Sequence, residues 1–166
     1  LGQTYFAIQT RKQELSEKEY NELTEDEKRL YRRNQARKGN LSLNKTAVNS
    51  GVKDLAKFHN AGYKGLYNGE TADDIFKRKK LRYREDILDN MGSEELADNI
   101  FRIAQTDAKL KRDNVNNEYT AHFIHYEVGR EIRSSIKRLG GTMPENLPTP
   151  KTSLKELEKE NKKLKE

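Results

Sequence analysis

Apolar residues along the chain recur at intervals of three and four rather than two, so the pattern predicts helices throughout. Residues 2–15 carry Tyr5, Ile8 and Leu15, with Phe6 beside them, in helical spacing. Ser16 followed by Glu19, and Thr24 followed by Glu27, each match a capping box, in which the hydroxyl and the carboxylate both accept backbone N–H groups at a helix start. The second box opens a helix through EDEKRLYRRNQARK, with Glu25, Asp26 and Glu27 at the positive end of its dipole and Arg32, Arg33, Arg37 and Lys38 toward the negative end. Leu41, Leu43, Ala47 and Val48 could carry its apolar face past Gly39 to Ser50; the pattern leaves this open.

Gly51 reads as a break, followed by a short helix through KDLAKFHNA that stops at Gly62. Thr71 with Asp74 caps a helix over ADDIFKRKKL, and Ser93 caps EELADNIFRIAQTDAKLKR. In that last segment Leu96, Ile100, Ile103 and Leu110 form a stripe that Ala97, Phe101, Ala104 and Ala108 widen. A long helix over about 117–139 ends at Gly140 and Gly141. Three prolines make TMPENLPTP an extended segment, and Ser153 starts a charged terminal helix. The units predicted are long N-terminal helices (1–50), a helical core (51–141), a proline-rich linker (142–152) and the terminal helix (153–166).

Composition sharpens the fold class. Only 33% of the 166 residues are hydrophobic and 36% are charged, against roughly 45–50% apolar for an ordinary domain. The expectation is an elongated all-α multi-helix bundle with several small cores and long charged helices. No cysteine is present, which excludes disulfides, thiolate metal sites and cysteine nucleophiles. No apolar run approaches a membrane span and no signal segment opens the chain, so a soluble, cytoplasmic protein without membrane partners is expected. A start without Met, already in an amphipathic pattern, is expected for a fragment of something longer.

The net charge of +6 is unevenly placed: residues 31–90 hold 14 Lys and Arg against 7 Asp and Glu. Within them KRKKLRYR, residues 77–84, has six cations in eight positions, with Leu81 and Tyr83 interleaved. Lys77, Arg78, Lys79, Lys80, Arg82 and Arg84 could neutralise phosphates while Tyr83 stacks on an exposed base. The same cations could instead complement the dipole of the helix they follow.

GYKGLYNG, residues 62–69, raises the question of a phosphate loop, yet it matches neither the P-loop nor the dinucleotide spacing. It reads as a structural elbow, with Gly62 and Gly65 as turns, Gly62 at positive φ after a helix end, and Tyr63 and Tyr67 as packing anchors. In HFIHYE, His122 and His125 lie at i and i+3 with Glu127 outside, unlike a zinc-protease helix. His125 falls amid Ala121, Val128, Ile132, Ile136 and Leu139 on a helical wheel, the position of a core histidine with satisfied ring nitrogens. His59 stands alone. No catalytic triad, paired carboxylate or cofactor motif is present, so neither an enzyme nor a bound metal or cofactor is expected; a hydrolase around His125 and Glu127 is the disfavoured alternative. In the terminal helix Leu154, Leu157, Asn161 and Leu164 take a, d, a and d positions; a helix lying on its own domain is the favoured reading, and a homodimer seam is the alternative.

Five stretches together resemble the DNA-damage-inducible protein D family of bacteria: LGQTYFAIQTRKQEL, GYKGLYNGETADDIFKRKKL, ILDNMGSEELADNIFRIAQT, HYEVGREIR and LGGTMPENLPTP. They cover residues 1 to about 150, the C-terminal part of the family, beyond a Bro-like N-terminal region. The resemblance implies a non-enzymatic role in the SOS response, as a negative modulator of RecA recombinase filaments on single-stranded DNA. Gly62, Tyr63, Gly65, Leu66, Tyr67, Met91, Gly92, Ser93, His125, Glu127, Val128 and Gly129 carry over as family signature only. Tyr126 stands where relatives have a second histidine, which speaks against chemistry that needs the pair, and segment 16–50 departs from the family pattern at Gly39 and Asn40. The alternative function is a phage antirepressor-like transcriptional regulator, of which this part is the helical dimerisation or effector half.

Overall fold

The computed structural model describes residues 15–165, all-α as the pattern predicts, with no strand among the described residues. Tyr5, Phe6 and Ile8 lie outside them. The helices are α1 (Glu17–Asn21), α2 (Glu25–Asn49), α3 (Leu55–Leu66), α4 (Ala72–Arg78), α5 (Ser93–Arg112), α6 (Glu118–Arg138) and α7 (Leu154–Lys165). Short 3-10 turns occupy Ile87–Asn90 and Pro144–Asn146, so the proline-rich segment is not extended throughout. Among the described residues no helix is long and apolar enough to cross a membrane.

Four helices make the bundle. α2 and α5 run side by side in the same direction: Glu25 meets Ser93 at one end, and Ser42 and Thr46 meet Asp107 further along. α3 and α6 form a second parallel pair, joined from Phe58 beside His125 to Leu66 beside Arg133. Short turns link α2 to α3 and α5 to α6, and they meet each other where Glu118 accepts from the Lys53 and Asp54 amides. The long crossover 67–92 and the tail 139–165 therefore gather at the opposite end. One core runs through all four helices, from Ala36, Leu43 and Ala47 to Phe58, Leu66, Leu96, Ile103, Ile124 and Ile132.

Local signals hold where the partner is local. Thr24 with Glu27 and Thr71 with Asp74 form complete capping boxes. Gly140, at φ 74°, ends α6 as expected, with the Gly141 amide donating to Ile136 O. α2 runs unbroken through Gly39 to Asn49, held beyond the glycine by the buried Leu43, Thr46 and Ala47, and the missing Cβ lets Ile103 approach: a Cβ there would lie 3.0 Å from Ile103 Cγ2. Ser93 is not a cap. Gly92 holds that position, and the Ser93 amide and hydroxyl both donate to Glu25 at 2.8 and 2.9 Å, so α2 caps α5.

A low apolar fraction is compatible with this fold because arginines serve as internal ties. Arg29 is buried and donates to Met91 O, Asp89 O and Thr152 O, fastening the crossover and the tail to α2. Arg33, also buried, pairs with Asp89 at 2.6 Å and with Glu158 of α7. Leu154 and Leu157 seal α7 onto Leu30, Leu23 and Tyr31 in a second small core.

Candidate functional site

The cationic run divides into structural and displayed members. Lys77 closes α4 in an exposed pair with Asp73 at 2.9 Å, and Arg78 is half-buried on Glu70 at 2.8 Å. Lys79 leaves the binding set altogether. Its ammonium is buried, paired with Glu95 at 2.9 Å, and donates also to Asn90 O and Thr149 Oγ1. A lysine with its charge satisfied inside the protein offers nothing to a phosphate. The surplus charge of 31–90 is thus partly internal, since Arg33 and Lys79 both belong to the interior.

The chain then turns outward. Lys80 at φ 56° follows the α4 cap, with its amide donating to Lys77 O and the Leu81 amide to Phe76 O, the helix ending in which glycine is the usual residue. Arg84 is left-handed as well, at φ 66°. Both cations thus sit in the left-handed region, where a side chain carries some backbone strain. Tyr83 is 86% exposed, with the Arg84 guanidinium 5.4 Å from its ring centre. Arg82 reaches Glu85 and Glu156 only at 3.8 Å, long contacts for an exposed pair. Alongside, α7 contributes Lys155 and Lys159 to a shallow groove shared with Arg82 and Tyr83, which Glu85 and Glu156 also line. Sequence reasoning missed these two lysines because the fold, not the spacing, brings α7 to the loop.

The glycine stretch is not the predicted elbow. Gly62 and Gly65 lie inside α3, and the left-handed turn comes later, at Asn68 and Gly69. Both glycines admit α6: a Cβ on Gly62 would fall on the His125 ring, and one on Gly65 on the Tyr126 carbonyl oxygen. Gly129 reciprocates, 2.7 Å from its would-be Cβ to Leu66 N. Tyr63 and Tyr67 are buried, 6.1 Å apart, as the anchors foreseen.

Behind them a buried polar chain crosses the bundle. Glu95, besides Lys79, accepts from Tyr67 Oη at 2.6 Å, and Asn99 Nδ2 donates to Tyr67 Oη. Arg102 donates to Asn99 Oδ1 and to His125 Nε2, and His125 Nδ1 lies 2.9 Å from Phe58 O. Since guanidinium only donates and a carbonyl only accepts, His125 is neutral with its proton on Nδ1. This is the satisfied core histidine expected from the stripe. Burial first, and then the Arg102 charge, hold His125 well below the ordinary histidine range and His59 down to about 4.

Both histidines therefore gain protons on unfolding below their ordinary value of 6.5. Stability is expected to fall as pH drops from 6.5 toward 4, by about 1.4 kcal/mol per pH unit for each histidine. Asp98, pushed up to about 7 by burial and by Glu94 and Glu95, works in the opposite direction and partly offsets the slope. Urea titrations at pH 7, 6 and 5 check the sign, and His59→Gln is expected to flatten the dependence.

Two of the four positions of the candidate dimer seam are consumed within the chain, as the reading of a helix on its own domain expects. Leu154 and Leu157 are buried against α2; Leu164 is 87% exposed and Asn161 lies between those extremes.

Comparison with known proteins agrees with the family resemblance. The model of the DinD C-terminal domain matches residues 23–157. DNA damage-inducible protein D of Escherichia coli (strain K12) is 53% identical over 161 residues, covering 95% of this chain and 59% of that protein. No solved structure matches. With a match that runs from the Leu23 contact through the bundle to Leu157, the chain belongs to the DinD C-terminal domain family.

Proposed function

We propose that this chain is a non-enzymatic binding module of the DNA-damage response that engages RecA-type recombinase filaments on single-stranded DNA and lowers their activity or stability. The DNA-damage link comes from the name of its relative. The observation that carries the rest is the displayed loop, in which Lys80, Arg82, Tyr83 and Arg84 are all exposed and Lys155 and Lys159 share a groove with Arg82 and Tyr83. Cations facing a strand release counterions from its phosphates, while a free tyrosine face stacks on a base without selecting a sequence. An exposed base face is what a single strand offers and a duplex hides in its stack.

Lys80→Glu, Arg82→Glu and Arg84→Glu together are expected to weaken association with single-stranded DNA and with filaments by roughly tenfold or more at low salt. Helicity stays unchanged, because none of the three is buried. Unaltered binding by the triple variant would overturn the proposal. Selective capture of a duplex site by the full-length protein, without any effect on filaments, would favour a transcriptional regulator instead.

A further inference from the structure

A second basic site lies at the same end of the bundle, where α3 stops against the flank of α6. It is a cleft of about 430 Å³ lined by Lys64, Tyr126, Arg130, Arg133 and Lys137, over a floor of Gly65 and the Asn68–Gly69 turn, and no carboxylate lines it. Arg130, Arg133 and Lys137 sit at i, i+3 and i+7 of α6, a stripe about 10 Å long on one helix face. Lys64 faces them from the last turn of α3.

Arg133 is fixed by Glu145, with both guanidinium nitrogens at 2.7 Å, and also donates to Leu66 O at 3.2 Å. It thereby answers the carbonyl end of α3. Lys64, Arg130 and Lys137 make no ion pair among the described residues. Neutralising helix dipoles does not account for them all, because that effect fades within the last turn and Arg130 stands two turns before the end of α6. Arg130 lies over the Tyr126 ring at 6.0 Å, and Tyr126 brings a half-buried aromatic wall to a cleft that is otherwise cationic.

We infer that this cleft binds adjacent phosphate groups, with Lys64, Arg130 and Lys137 on the phosphate oxygens and Tyr126 against an attached base. Its volume is that of a small-molecule site, which favours a nucleoside di- or triphosphate over a long strand. The inference is independent of strand binding by the loop at 80–84.

Titration calorimetry of the full chain with ATP and with pyrophosphate tests it. Saturable binding of both is expected, weakened about tenfold or more in Lys64→Gln/Lys137→Gln, two exposed positions, with unchanged helicity. ATP is expected to bind more tightly than pyrophosphate, and Tyr126→Ala to narrow that difference. Binding must survive in the Lys80/Arg82/Arg84→Glu variant, which separates the two sites. In that variant, displacement of ATP by oligothymidylate assigns the phosphates to a strand, and its absence assigns them to a free nucleotide; either result keeps the cleft as a phosphate site. Absence of saturable binding by both probes, equal affinity in the double variant, or loss of ATP binding in the loop variant would overturn it.

Discussion

Gly65→Ala is expected to destabilise the protein more than most single methyl additions. The new Cβ would meet the Tyr126 carbonyl oxygen and lie 3.1 Å from the Arg130 nitrogen, both main-chain atoms of α6 that no rotamer change can move. Overpacking usually costs about 1–3 kcal/mol, and backbone against backbone belongs at the upper end. Alanine returns only about 1 kcal/mol in helix propensity. Gly62→Ala would press on the His125 ring, which is held by Arg102 and Phe58 O, and Gly129→Ala on Leu66 N and Gly62 O. A lowered urea midpoint with an unchanged slope is the expected signature. An unchanged midpoint for Gly65→Ala would mean that α3 and α6 do not lie in backbone contact.

Lys79→Met is the second large effect, and it separates folding from binding. Glu95 would be left fully buried with Tyr67 Oη as its remaining side-chain partner, and removal of one member of a buried pair costs about 3–5 kcal/mol. Glu95→Met should cost a comparable amount by stranding the ammonium. The double variant should lose much less than the sum, because burial of neither charge then needs compensation. Strand affinity, measured on the folded fraction, is expected to stay the same in Lys79→Met. A variant that folds normally but binds poorly would return Lys79 to the binding surface.

Lys79 also shows where sequence reasoning stops. In KRKKLRYR it is indistinguishable from Lys80, yet one side chain is internal and the other displayed, a difference decided by Glu95, sixteen positions away. Thr24, Thr71 and Gly140 were legible because their partners lie within a turn of chain. Ser93 was misassigned because the group that meets it, Glu25, is 68 positions distant. His125 was legible from its apolar stripe, but its hydrogen bonds to Arg102 and Phe58 were not.

Gly62 and Gly65 failed for a different reason. A glycine marks a turn or a close approach with the same letter, and the helix-compatible spacing of three favoured the second. The terminal helix lies on its own domain, the reading its a/d stripe favoured, since such a stripe covers a neighbouring helix of its own chain as readily as a second copy. The cleft was overlooked since Lys64 and the α6 cations are far apart in sequence, although Arg130, Arg133 and Lys137 already mark one helix face.

The central claim, that the loop at 80–84 carries contact with single-stranded DNA in the filament, is tested most directly by a salt series. Binding of the wild type and of the Lys80/Arg82/Arg84→Glu variant to single-stranded DNA, duplex DNA and recombinase filaments is measured side by side from low to physiological salt. A negative log–log slope on single strands and filaments is expected for the wild type, shallower by about 0.7 for each phosphate that the variant no longer neutralises, with weaker binding to duplex. Equal slopes and equal affinities for the two proteins on every substrate would contradict the account.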